Sequence, residues 1–275
     1  AQQLEEAGAG IQLSPNATNV LLGLGLREAL QAVAAMPEGI SVRTARQVRE
    51  IVQIPLGEAF AFRHGAPYWI VHRADLQRVL YEAANAHPDI DVRLGLRVED
   101  FAVHPNGVTA QLGGGKIDHE QGIALIAADG LWLRKKFDNT LPRFSGRTAW
   151  RALVPASQFP PEFRAQRINL WLAPDAHLVH YPVRGGRAIN LVAILRDRWQ
   201  SRSWNTPGTR EEMIAQFPQK SWSREARGLL GIPDKWQKWS LFDRPPRRIW
   251  TRGPVALLGD AAHPMLPFLA QGAAM

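Results

Sequence analysis

The sequence predicts an α/β fold of mixed α/β and α+β character, in which two parts of the chain interleave. Two short apolar runs, 123–128 and 255–258, have the length and composition of buried strands. Between them, alternating and β-branched segments predict a mostly antiparallel sheet. These segments are 147–154, 168–172, 178–183 and 188–195. The pattern therefore predicts one part that the chain visits at its start, middle and end, and a β-rich part between.

Local signals predict the remaining elements. Ser14 can cap a helix that begins at Pro15, and glycines at 23 and 25 end it. Apolar residues at helical spacing predict a helix over 75–86. Further helices are expected over 211–217 and 224–230. Further strands are expected within 40–71 and over 91–96, 239–242 and 249–250. Residues 101–120 are expected to form a meander with turns at 105–107 and 113–115.

Composition restricts the class of protein. A chain of 275 residues can bury a large core, and the absence of cysteine excludes disulfides and thiolate nucleophiles. The formal net charge of +8 has two interpretations, a nucleic-acid binder or a solvated surface with a few anion sites. The scattered arginines favour the second, so no nucleic-acid partner is expected. No apolar run approaches a membrane span, and the amino end does not have the pattern of a secretory signal. We therefore expect a cytoplasmic protein with no membrane partner.

Two carboxylates follow predicted strands, Asp129 in an Asp-Gly pair and Asp260 in a Gly-Asp pair. Either alone is most simply a turn residue. Together they suggest one ligand crevice, because ligands of open α/β sheets bind at the carboxyl ends of strands. Gln271 to Ala274 has the composition of a helix opening, which would add backbone amides to the same crevice.

Four segments carry a resemblance to a known family. They are G-A-G-I-Q-L-S-P-N-A-T at 8–18, H-R-A-D-L-Q at 72–77, L-I-A-A-D-G-L-W-L-R-K at 125–135, and G-D-A-A-H-P at 259–264 followed by Q-G-A at 271–273. Their sequences and order resemble the FAD-dependent aromatic monooxygenases, in particular the salicylate hydroxylase-like and hydroxybenzoate hydroxylase enzymes. The resemblance covers nearly the whole chain.

The resemblance implies a Rossmann-like FAD-binding domain interleaved with a β-sheet-rich substrate domain, as in para-hydroxybenzoate hydroxylase. The expected division is 1–39, 72–140 and 245–275 for FAD, and 40–71 and 141–244 for the substrate. The implied cofactor is FAD, with NADH or NADPH as co-substrate. The implied cofactor-binding residues are Gly10, Ile11, Arg73, Val98, Asp129, Asp260, Gly272 and Ala273.

One departure from the family pattern concerns the phosphate-binding unit. The strand, G-x-G-x-x-G loop and helix with which the family opens are not found in this sequence, nor is its closing helix. On this ground the chain is expected to bind FAD weakly or not at all. One alternative is therefore a non-catalytic remnant without stable FAD binding. Another is a flavoprotein of the same fold with different chemistry, such as a halogenase or a reductase.

The candidate catalytic pair is His177 and Tyr181. On a strand these two share one face and His180 takes the other, which argues against a metal pair of histidines, and no metal site is expected. Their spacing resembles the substrate-site His and Tyr of the family, which would let His177 take a phenolic proton and Tyr181 orient the ring. A histidine and a tyrosine of the core remain the alternative.

The implied reaction is flavin-dependent hydroxylation of an aromatic substrate, expected to be a hydroxylated aromatic acid, using NAD(P)H and O2. The resemblance also makes Gln12, Pro267 and Gln271 walls of the substrate pocket. The expected partners are the aromatic substrate and O2, and a homodimer is an open alternative to a monomer.

Overall fold

The largest element of the fold is an eight-stranded sheet, seen in a computed structural model that describes residues 10–114, 118–130, 133–137, 140–201 and 206–275. The predicted turn residue Gly115 and the first nine residues of the expected FAD domain lie outside these ranges. The α-helices are α1 (Pro15–Gly23), α2 (Arg27–Gln31), α3 (Glu58–His64), α4 (Arg73–Ala86), α5 (Arg210–Ala215) and α6 (Arg224–Leu230).

Sixteen strands are present in the described ranges. In chain order they are β1 (Gly10–Leu13), β2 (Gly39–Thr44), β3 (Glu50–Pro55), β4 (Trp69–His72), β5 (Arg97–His104), β6 (Gly107–Gly113), β7 (His119–Gly122), β8 (Leu125–Ala127), β9 (Arg143–Pro155), β10 (Arg167–Leu172), β11 (Ala176–Val183), β12 (Ala188–Arg196), β13 (Thr206–Thr209), β14 (Lys235–Asp243), β15 (Thr251–Arg252) and β16 (Val255–Leu257). The large sheet has the order β13-β14-β9-β12-β11-β10-β2-β3. All its neighbours are antiparallel except β10 and β2.

One face of this sheet packs into the main hydrophobic core. Alternate residues of β9 and β12, among them Trp150 and Leu191, point to this core together with residues of α5 and α6 such as Met213 and Leu230. The period of two along each strand leaves the other residues of the same strands on the opposite face. That opposite face is the one on which β1 and the carboxyl-terminal loop lie.

Three smaller sheets complete the fold. β1 pairs with β4, β5 to β7 form the predicted meander, and β16 pairs in parallel with β8 and antiparallel with β15. A separate apolar cluster, which includes Ala127, Val255 and Leu257, supports β8 and β16. The mixed α/β fold class is confirmed. The predicted domain division assigns residues 69–71 to the substrate domain. In the structure these residues belong to β4, which pairs with β1 of the predicted FAD-binding domain.

The structure corrects several predictions of local structure. Residues 249–250 form no strand, since β15 begins at Thr251, and the helix opening expected over 271–274 is a turn. Residues 91–96 form no strand, and the strand begins at Arg97. Residues 58–64 form the helix α3 within the segment predicted as strands. Ser14 is the N-cap residue of α1, but its side chain makes no capping hydrogen bond and instead contacts Asn16 and Gln271.

Among the described residues, no helix combines the length and the apolar character needed to cross a membrane.

Candidate active site

Strand β11 separates the two histidines of the sequence motif. The His180 ring packs with Phe159, Phe163 and Trp171, which belong to or line the main core. Tyr181, two residues before Val183 on the same face, is directed at β1 instead, where its hydroxyl donates to the Gly10 carbonyl at 2.8 Å. The alternation expected from the sequence therefore holds at both positions.

Tyr181 ties β1 to the large sheet, and Tyr68, directly before β4, holds β1 from its other neighbour. Burial raises the pKa of Tyr181 above its ordinary value, and burial together with Tyr181 raises the pKa of Tyr68 to about 12. Both hydroxyls are therefore protonated at neutral pH and act as donors. Tyr68 donates to Gln12 Oε1 at 2.7 Å. This hydrogen bond from Tyr68, which directly precedes β4, holds the side-chain oxygen of the predicted pocket residue Gln12 in place.

Gly10 has no room for a side chain. A Cβ at this position would lie 2.4 Å from Tyr181 Cε2 and 2.7 Å from Val183 Cγ1. We expect Gly10→Ala to destabilise the fold by about 1–3 kcal/mol, because overpacking forces Tyr181 and β1 apart. Urea unfolding measures this loss. Gly23→Ala is the matched control, since nothing lies within 4 Å of its Cβ position, and equal stability of both variants would contradict the prediction.

His177 lies on the Tyr181 face and meets the carboxyl-terminal loop. Its ring is 6.1 Å from the Phe268 ring in an edge-to-face arrangement, and the Arg147 guanidinium is 5.6 Å from the same ring. Burial and the charge of Arg147 lower the pKa of His177 below 6.5. At pH 7 the imidazole is therefore neutral and can accept a proton. Pro267, the predicted pocket residue, begins the short 3₁₀ helix that carries Phe268.

The buried His180 gives the protein a pH-dependent stability. Its side chain is 0% exposed, and burial together with Arg43 lowers its pKa from 6.5 to about 3. As the pH falls, His180 is protonated in the unfolded chain before it is protonated in the folded one. The contribution of the neutral His180 to the free energy of unfolding is therefore fully present above pH 6.5 and is lost as the pH decreases towards 3. At pH 4.5 the loss amounts to about 2–3 kcal/mol, at about 1.4 kcal/mol per pH unit.

Urea unfolding at pH 7.5 and pH 4.5 measures this loss. We expect His180→Phe to remove most of the difference between the two pH values, whereas substitution of the exposed His87 by Gln leaves it unchanged. An undiminished difference in His180→Phe would show that other groups cause the acid sensitivity.

The segment Gln271–Ala274 lies against the start of α1. Gln271 Nε2 donates to Ser14 Oγ at 3.1 Å, and Asn16 Nδ2 donates to the Ala274 carbonyl at 2.6 Å. Between these anchors the segment forms a turn, closed by a bond from the Ala274 amide to the Gln271 carbonyl at 2.9 Å, and Gly272 and Ala273 are exposed. Exposed small residues on a fixed turn leave backbone amides accessible to a ligand.

The two predicted carboxylates follow neighbouring parallel strands. β8 pairs with β16 from Leu125–Val255 to Ala127–Leu257, and Asp129 and Asp260 come two and three residues after the last pair. Both residues are exposed. The prediction that the two carboxylates end strands of one sheet is confirmed.

Arg134 is a site residue that sequence reasoning missed. Its side chain is 0% exposed and donates to the carbonyls of Ala261, Ala262 and Pro245 at 3.3, 3.0 and 3.1 Å. The Asp-Gly segment is thereby joined to the loop that follows Asp260. In the sequence, L-R-K after Asp-Gly resembles an ordinary basic surface stretch, and no local signal marks the arginine as buried.

The other predicted cofactor residues occupy separate environments. Ile11 packs partly buried in the cluster between β1, β4 and the helices α1 and α4. Val98 packs against the cluster beneath β16. Arg73 is exposed at the first position of α4, and its charge influences the pKa values of Tyr181 and Arg151. Arg73 therefore faces the Tyr181 side of the large sheet.

The arrangement suits a flavin dinucleotide. Exposed carboxylates can accept hydrogen bonds from a polyol, and turn amides can donate to an electron-rich ring or a phosphate. A His–Tyr pair lies on the adjacent large sheet, on the face towards β1 and the carboxyl-terminal loop.

Comparison with known proteins identifies the family. The FAD binding domain family matches residues 5–275. The chain belongs to this family, among the FAD-dependent aromatic monooxygenases. It is an oxidoreductase with FAD as cofactor, in a family for which NADH or NADPH is the typical co-substrate, and the family expected from the sequence is confirmed.

Named relatives are similar over the full chain. A 3-hydroxybenzoate 6-hydroxylase of Aquipseudomonas alcaligenes is 36% identical over 278 residues, covering 100% of this chain and 70% of the relative. A 3-amino-4-hydroxybenzoate 2-monooxygenase of Streptomyces cremeus is 36% identical over 275 residues, covering 99% and 67%. The solved structure of a salicylate hydroxylase substrate complex aligns with a TM-score of 0.80 at 27% identity, covering 97% and 69%. These names favour a hydroxylase over a halogenase or a reductase.

Proposed function

We propose that this protein hydroxylates a hydroxybenzoate, with His177 accepting the phenolic proton and Tyr181 orienting the substrate. The observation that carries the proposal is the common face of His177 and Tyr181, which lies towards β1 and the carboxyl-terminal loop. The substrate class is that of the relatives named as hydroxybenzoate hydroxylases and monooxygenases.

The protonation states support these roles. His177 is neutral at pH 7, because its pKa is lowered by burial and by Arg147. A neutral imidazole within reach of a phenol can accept the phenolic proton, and the resulting phenolate donates more electron density to the ring, which makes the ring a better nucleophile. Tyr181 remains protonated because burial raises its pKa, and its hydroxyl donates to the Gly10 carbonyl. It therefore does not compete for the substrate proton and would orient the substrate through contacts of its ring.

The proposed cofactor residues divide into three groups. Asp129 and Asp260 would accept hydrogen bonds from hydroxyls of FAD, Gly272 and Ala273 would offer backbone amides to its ring, and Gly10, Ile11, Val98 and Arg73 would border it. Bound FAD would supply the redox chemistry, in which two electrons from NAD(P)H reduce O2 so that one of its oxygen atoms enters the ring and the other becomes water. Gln12, Pro267 and Gln271 would form walls that exclude water from the substrate.

A panel of aromatic acids tests the proposal. With the FAD-loaded protein, we expect at least one of the three hydroxybenzoate isomers to accelerate NAD(P)H and O2 consumption and to be converted into a dihydroxybenzoate. Benzoate is the matched control, because it has the carboxylate but no hydroxyl for His177 to act on. The proposal fails if no isomer binds or reacts. A protein that retains no FAD at all would favour the non-catalytic alternative.

A homodimer is a second proposal, supported by the edge of the large sheet. β3 is the last strand of that sheet, and it exposes Ile51, Val52 and Ile54 to 53%, 44% and 40%. Apolar side chains on an edge strand favour association with another chain. Light scattering gives the mass in solution, and replacing Val52 by Lys is expected to convert a dimer that uses this edge into monomers.

A further inference from the structure

Arg151 is a cation on the substrate face of the large sheet for which the site described so far has no role. Its neighbours along β9, Trp150 and Ala152, point into the main core, so Arg151 projects from the opposite face. Its guanidinium lies 4.4 Å from the centre of the Trp239 ring. The contact with an aromatic face fixes the plane of the guanidinium.

The strand register places Arg151 beside the His–Tyr pair. Val179, which lies between His177 and Tyr181 on their face of β11, pairs with Val192 of β12. Val192 in turn pairs with Arg151 of β9. Two strand spacings of about 4.8 Å therefore separate Arg151 from Val179, close to 10 Å between Cα atoms. Val192 lies between them as an apolar, partly exposed floor.

The charge of Arg151 is not neutralised within the described part of the chain. There, no hydrogen bond or ion pair joins its guanidinium to another side chain, and its Nε is buried without a partner. Burial lowers the pKa of Arg151, and the nearby positive charge of Arg73 lowers it further. A buried guanidinium nitrogen without a partner is unfavourable, and an anion bound to Arg151 would satisfy it and offset the nearby charge of Arg73.

We propose that Arg151 binds the carboxylate of the aromatic acid while His177 binds its hydroxyl group, so that Arg151 selects acids over neutral phenols. This inference rests on the proposed function and names the group that recognises the substrate class. A planar guanidinium matches a carboxylate with two parallel hydrogen bonds. The aromatic ring would lie over Val192, with its polar ends on β11 and β9, and Arg73 would add to the positive potential at the carboxylate end.

Equilibrium binding to the FAD-loaded protein tests the inference. Two ligands that differ only at the proposed contact are compared, 3-hydroxybenzoate and 3-hydroxybenzyl alcohol, by titration of the flavin absorbance spectrum. For Arg151→Met we expect the Kd of the acid to rise about 30- to 1,000-fold, the loss of a charge-assisted pair, and the Kd of the alcohol to change less than about threefold. Arg151→Lys, which keeps the charge without the fork, is expected to recover part of the affinity for the acid.

Arg43→Met is the matched control. The Arg43 guanidinium lies 4.9 Å from the centre of the Trp171 ring, on the opposite face of the sheet. The substitution Arg43→Met therefore removes a similar arginine–tryptophan contact that is away from the site. Its affinities for both ligands should equal those of the wild type. Equal losses for acid and alcohol in Arg151→Met, or no loss for the acid, would overturn the role of Arg151. A wild-type protein that binds no hydroxybenzoate would overturn the proposed function itself, and this inference with it.

If Arg151→Met does not fold, Arg151→Lys carries the test alone. The acid should then bind more weakly than to the wild type while the alcohol binds equally well. A lysine variant with wild-type affinity for the acid would contradict a bidentate carboxylate contact.

Discussion

His177→Ala is expected to slow hydroxylation by about 10²–10⁴-fold, the usual contribution of a positioned general base. Reduction of the flavin by NAD(P)H does not need this base, so NAD(P)H oxidation without substrate should change little. Rapid-mixing kinetics measure the two steps separately. The acid limb of kcat/KM is expected below pH 6.5 in the wild type, because the pKa of His177 is lowered, and it should disappear in the variant.

His180→Ala is the control within the same strand. Its side chain lies in the core with Phe159, Phe163 and Trp171, so its removal affects stability and leaves the chemistry intact in the folded fraction. Equal losses of turnover per folded molecule in both variants, or full hydroxylation in His177→Ala, would show that His177 is a packing residue.

Arg134→Met is expected to cost about 2–5 kcal/mol of unfolding free energy. The substitution leaves the carbonyls of Ala261, Ala262 and Pro245 without their donor, and each unsatisfied buried acceptor costs about 1–3 kcal/mol. Because two of these carbonyls follow Asp260 directly, the affinity for FAD should fall as well. Urea unfolding and flavin fluorescence titration measure the two effects.

Arg134→Lys tests the geometry of the same contact. A lysine keeps the positive charge but cannot reach three carbonyls with a fixed fork, so an intermediate loss is expected. Unchanged stability and unchanged FAD affinity in Arg134→Met would contradict a positioning role for this residue.

The sequence predicts those features that depend on local periodicity. The period of two along β11 was enough to separate His177 and Tyr181 from His180. Apolar runs ending in a carboxylate were enough to place Asp129 and Asp260 after paired strands of one sheet. Both inferences need only a few consecutive residues, because side-chain direction in a strand is set by the backbone.

Features that depend on distant contacts could not be predicted. Ser14 suits a helix cap, yet its hydroxyl contacts Gln271, which is 257 positions away in the sequence. The segment of α3 has Phe60 and Phe62 two apart, which imitates a strand, and all of its residues remain at least partly exposed. Arg134 and Arg151 have the sequence neighbourhood of many surface arginines, and only the packing of other elements removes them from water.

The most direct test of the account is the source of the oxygen in the product. The FAD-loaded protein is supplied with NAD(P)H, the preferred hydroxybenzoate and ¹⁸O2 in ordinary water, and the product is analysed by mass spectrometry. We expect a dihydroxybenzoate that carries one ¹⁸O atom per molecule and is formed only with FAD present. An unlabelled product, or substrate-stimulated NAD(P)H oxidation that yields only hydrogen peroxide, would contradict the assignment of this chain as an aromatic hydroxylase.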